Sequence, residues 1–138
     1  MEHRSACFPT LLVSGVLFGL AHFTKPDATP VSTAAIALEA VLMGACYVLT
    51  RNLWFPIGLH IGWNFTEGGV FGAALSGTPA QGLLNAPLHG PDALTGGEFG
   101  PEVSPATVAV GLIAAAILLA AAIRQGEWKR FVLRLYPR

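Results

Sequence analysis

The stretch ATVAVGLIAAAILLAAAI, residues 106–123, contains no charged residue and is almost pure Ala, Ile, Leu and Val. Wound as a helix at about 1.5 Å per residue, it approaches the ~30 Å hydrocarbon core of a bilayer. The rest of the chain is of the same kind. Of its 138 residues 53% are hydrophobic and 12% charged, and the mean hydropathy is +0.57. A typical soluble domain is about 25% charged, so this chain has too few charges to cover a water-facing surface. Eight basic and eight acidic residues cancel to a formal net charge of +0. That balance excludes the cationic excess a nucleic-acid partner requires. Cys7 and Cys46 are too few for a secreted disulfide scaffold, and no cleavable signal peptide is visible. The sequence is that of an all-α integral membrane protein.

Three further apolar stretches precede this one, at about 8–23, 34–50 and 53–75, which makes four expected transmembrane helices in one membrane domain. Pro26 and Pro30 are expected to break the chain after the first, and Arg51-Asn52 to form a tight turn between the second and third. Arg4, Arg51, Arg124, Lys129, Arg130, Arg134 and Arg138 then fall on one side, with Lys25 on the other. The segment 76–105 carries no Lys or Arg and is expected to be an extracytoplasmic loop. By the positive-inside rule both termini are cytoplasmic, in a multi-pass protein of the cell membrane surrounded by its lipids. The basic tail 124–138, with Trp128, Phe131, Leu133 and Tyr136 between its charges, is expected to lie along the headgroups. Trp54 and Trp128 mark the same boundary. Gly15 and Gly19 form one G-x-x-x-G and Gly58 and Gly62 another, so the first and third spans are expected to touch through these small residues.

Polar residues inside such spans are the informative ones, because a charge at the bilayer centre costs about 2.5–3.5 kcal/mol even on the mildest scale. They are His22, Glu39, His60, Asn64 and Glu67. Phe18 and His22 are four apart, as are His60 and Asn64, so each pair shares a helix face. Bland readings exist for each. His22 serves as an interfacial residue, His60 as a helix-to-helix hydrogen bond, and Asn64 as interhelical glue worth ~0.6 kcal/mol. Glu67 is expected to be solvated near the far boundary. Glu39, flanked by Ile36, Ala37, Leu38, Ala40, Val41 and Leu42, is harder to dismiss. It could be protonated, pair with a histidine, or hold one in its tautomer. His3 and His89 lie outside the spans.

Phe18-Gly-Leu-Ala-His22 is an F-x-x-x-H motif, and His60-Ile-Gly-Trp-Asn64 is H-x-x-x-N, preceded by Tyr47, Thr50, Leu53, Trp54, Pro56 and Ile57. Together, over roughly Leu11 to Phe71, these resemble the CPBP family, the CAAX protease and bacteriocin-processing (Abi) family of intramembrane endopeptidases. Leu94-Thr-Gly-Gly-Glu-Phe-Gly-Pro-Glu102 also looks like a loop of bacterial members. The resemblance implies that the chain is the C-terminal half of a larger helical bundle that hydrolyses a peptide bond within the membrane. It implies a membrane-embedded or prenylated peptide or protein as substrate. By position, His22 would ligate a divalent metal, zinc, or help to activate water, with Phe18 and Glu39 in support. His60 and Asn64 would ligate the metal or stabilise the oxyanion; the metal ligands of this reading are His22 and His60. The family's first motif, a Glu-Glu pair followed by Arg, would lie upstream of Met1, so Met1 reads as a truncated start. The rival readings are a non-catalytic immunity or interaction module and a small transporter using His22, Glu39 and His60.

Overall fold

A computed structural model of the chain describes residues 7–86, 88–129 and 131, with side chains from residue 9 on. The positions of Arg4, His3, Arg130, Leu133, Arg134, Tyr136 and Arg138, and the Cys7 side chain, lie outside the described residues. The architecture is helical: α1 Cys7–His22, α2 Pro30–Thr50, α3 Trp54–Asn64, a short α4 Asp92–Thr95 and α5 Pro105–Arg124. Among the described residues there is no strand, only an isolated bridge between Leu75 and Thr78. Of these helices α2 and α5 are long and apolar enough to cross a membrane, and α1 is a shorter apolar helix. Apolar side chains of the helices face outward: Leu17 of α1 is 62% exposed, Ile61 of α3 62% and Ile113 of α5 62%. Such a surface suits lipid and would be untenable in water.

The break expected after the first stretch is present, since α1 ends at His22, and Pro30 starts α2. Its missing N–H costs nothing at the first helical position, where no intrahelical acceptor exists. Thr29 caps the helix, its hydroxyl accepting from the Ser32 N–H at 3.0 Å while the Ser32 hydroxyl accepts from the Thr29 N–H at 2.8 Å. At the other end the expected turn is present. Arg51 takes a left-handed conformation at φ 55°, and the Asn52 side chain accepts from the Trp54 N–H at 2.9 Å.

The third apolar stretch does not continue to residue 75. After Asn64 the helix widens into a π-helical segment, Phe65–Val70, and ends. The returning chain terminates it, with Leu83, Leu84 and Ala86 donating to the carbonyls of Gly69, Val70 and Phe71 at 2.9, 2.8 and 2.8 Å. The orphan carbonyls of the helix end thus find donors within the protein. Gly72, at φ 70°, makes the reversal.

Packing fixes the helix directions. Gly15 lies against the Ala37 carbonyl and Gly19 against the Thr33 carbonyl, while Leu11 meets Gly44, so α1 runs antiparallel to α2. The first G-x-x-x-G therefore serves α2, not α3. A Cβ added at Gly58 or Gly62 would meet nothing within 4 Å, so the second pair makes no close helix contact among the described residues. The reason is the direction of α3, which offers that face outward. Helix α5 runs parallel to α2: Gly111 faces Glu39, and further along both helices Ala122 joins Val48.

Trp128 and Phe131 fold inward, both 6% exposed, onto Leu11, Val48 and Ala122. The first part of the tail thus packs against one end of the bundle. The Arg51 guanidinium stacks 5.1 Å from the centroids of both the Tyr47 and Phe131 rings, tying that end to the α2–α3 turn.

Candidate active-site cavity

A cavity of about 750 Å³ opens between α1, α2, α3 and α5. Phe18 and His22 reach it from the end of α1, Glu39 from the middle of α2, and His60 and Asn64 from α3. The i, i+4 spacing of each motif places both of its members on the cavity side of its helix. The two motifs meet at Phe18. Its ring centroid is 4.6 Å from that of His22, and 6.0 Å from His60 in an edge-on contact at 89°. The first and third helices do touch, then, but through aromatic rings and not through glycines.

The His22 ring is oriented by its own helix. Its Nδ1–H donates to the Phe18 carbonyl at 2.8 Å, since a carbonyl oxygen can only accept. In the neutral ring this leaves the lone pair on Nε2, the nitrogen free to take a proton or bind a metal. Helix α1 ends at His22, so this bond also uses a carbonyl in its last turn.

Glu39 is half-buried on the cavity wall, and its Oε1 is shielded from solvent with no hydrogen-bond partner. Its carboxylate lies over Gly111 of α5, where any Cβ would run into it. Two helices thus make room for an acid among apolar neighbours. Left without a partner, such a group is costly, and a polar group entering the cavity would relieve it.

Glu67 is not solvated. It is 6% exposed, and its Oε1 accepts the Glu102 N–H at 3.1 Å. The loop after Val70 folds back over the helix end, which covers a position that helix periodicity alone places near water. Glu102, 8% exposed, lines the cavity as well, as do Lys25 and Ser76. None of these three was marked by spacing, because each arrives from a loop whose path is set by tertiary contacts.

A catalytic zinc takes three protein ligands and a water. Among the described residues, no group of three His, Cys, Asp or Glu side chains comes together closely enough to hold a metal ion. His22 and His60 alone do not complete such a centre.

The sequence profile of the type II CAAX prenyl endopeptidase Rce1-like family matches residues 1–66. That span takes in both the Phe18–His22 and the His60–Asn64 motifs. No curated protein and no solved structure matches the chain.

Proposed function

Starting from the membership of residues 1–66 in the type II CAAX prenyl endopeptidase Rce1-like family, we propose that this protein is an intramembrane endopeptidase of the CAAX type. Its substrate is a membrane-embedded or prenylated peptide, and His22, His60 and Asn64 form its reactive centre. One observation carries the reading. Two motifs on separate helices deliver an imidazole each, and an amide, to one cavity whose remaining walls are largely apolar.

Peptide hydrolysis needs a proton acceptor for water, donors for the developing oxyanion, and a proton for the leaving amine. His22 Nε2, freed by the Nδ1 bond to Phe18, takes the proton of the attacking water. The water oxygen bonds to the scissile carbonyl carbon, and the Asn64 amide and the His60 ring N–H face the resulting oxyanion. The C–N bond then breaks, and the proton passes from His22 to the departing amine. Glu39 supports the imidazolium electrostatically, the role that its unpartnered oxygen in the same cavity suits.

The test uses membranes from cells that make the native protein, with a farnesylated peptide ending in Cys-aliphatic-aliphatic-X as probe. His22→Ala and His60→Ala are each expected to abolish its cleavage. Asn64→Ala is expected to lower kcat by about 10²–10³-fold, the usual cost of one oxyanion donor. Unchanged cleavage in both histidine variants would end the proposal.

A further inference from the structure

The segment Leu94-Thr-Gly-Gly-Glu-Phe-Gly-Pro-Glu102 takes no part in the chemistry just described, yet it is tightly built. Gly100 adopts φ 126°, and a Cβ there would strike the Ala74 carbonyl. Phe99 is 3% exposed, and its carbonyl accepts the Gly77 N–H at 2.7 Å. These contacts hold the loop against residues 74–77, and the outcome is the placing of one side chain. Glu102 arrives at the wall of the cavity that His22, His60 and Asn64 share.

Its carboxylate is anchored there. Glu102 Oε1 accepts from the Ser76 N–H at 2.9 Å and from the Ser76 hydroxyl at 2.8 Å. The Glu102 N–H in turn donates to Glu67 Oε1 at 3.1 Å. Glu67 sits three residues beyond Asn64, in the π-helical segment that continues the same helix without a break. A chain of hydrogen bonds therefore runs from Ser76 through Glu102 to Glu67 and reaches the helix that presents His60 and Asn64. Segments of π-helix inside α-helices are frequent at functional sites, where they re-aim side chains.

We propose that Glu102 is a positioning residue of the peptidase site. Its backbone N–H ties the 94–102 loop to the π-helical turn, its carboxylate ties the same loop to Ser76, and the two together set where the Asn64 amide stands in the cavity. The inference rests on the peptidase reading. Glu102 acts through these hydrogen bonds. A reacting group misplaced by about 1 Å costs about 10²-fold in rate.

The role makes a distinction that carboxylate chemistry would not. Gln keeps an oxygen able to accept from both Ser76 donors, whereas Ala keeps none. In the farnesyl-peptide assay Glu102→Ala is expected to lower kcat tenfold or more with KM moving less than threefold. Glu102→Gln is expected to stay within threefold of the native protein. Hydrogen exchange supplies a readout independent of cleavage, because the Ser76 amide should exchange faster in Glu102→Ala and remain protected in Glu102→Gln. Ser76→Ala, which removes one donor and leaves the backbone bond, should lower kcat a few-fold and serves if Glu102→Ala fails to accumulate. Native kcat in Glu102→Ala or in Ser76→Ala would overturn the proposal. So would a Glu102→Gln protein as slow as Glu102→Ala with its Ser76 amide still protected. Failure of the peptidase reading shows separately, as cleavage that His60→Ala leaves untouched.

Discussion

His22 illustrates how much one side chain owes to its neighbours four residues away. The Phe18 carbonyl fixes its tautomer and the Phe18 ring flanks it, so both constraints lie within a single helical turn. That part of the site was legible in the sequence, because i, i+4 spacing is a property of any helix. A specific consequence can be measured. Nitrogen NMR of protein labelled at histidine should show a proton on His22 Nδ1; a neutral ring with its proton on Nε2 alone would contradict the geometry. Glu67 marks the opposite case. Its burial depends on Glu102, thirty-five positions later, and no local pattern announces such a contact. Glu39 stands between the two. Its apolar neighbours flagged it in the sequence, but the notch at Gly111 that accommodates it belongs to the packing of α2 against α5.

At the scale of elements, the two G-x-x-x-G pairs look alike and behave differently. Gly19 presses on the Thr33 backbone, where a Cβ would stand 2.7 Å from the carbonyl oxygen, and Gly62 has open space. Backbone cannot step aside as a flexible side chain can. Gly19→Ala should therefore force α1 away from α2 and destabilise the protein by about 1–3 kcal/mol. Gly62→Ala should change stability by no more than about 0.5 kcal/mol, or raise it slightly through helix propensity. Thermal unfolding of the two variants in detergent checks this, and equal losses would show that both glycines sit in helix contacts. The motif identified close packing correctly in α1 and could not say which helix was met. Helix ends follow the same rule. The last long helix was readable almost to the residue, since 106–123 lies within Pro105–Arg124. Helix α3 ended early because a returning loop, invisible to hydropathy, supplies the donors that its last carbonyls need.

Over the whole molecule, α1 runs antiparallel to α2 and α5 runs parallel to it, which places Lys25 at the opposite end from Arg51 and Arg124. Impermeant thiol reagents can read that arrangement from cysteines placed in the two end segments. Under the orientation expected from the basic residues, Asp27→Cys should be labelled from outside intact cells, and Gly126→Cys only after the membrane is opened; labelling of both from one side would contradict that expectation. Within this bundle the cavity gathers two motifs nearly forty residues apart, and its chemistry is what the proposed function depends on. The most direct test is the mass of the products formed from the farnesylated peptide by native membranes and by membranes carrying His60→Ala. The account predicts cleavage between the modified cysteine and the following residue by the native protein, and none by the variant at equal protein level. The same products in the same yield from both would contradict it.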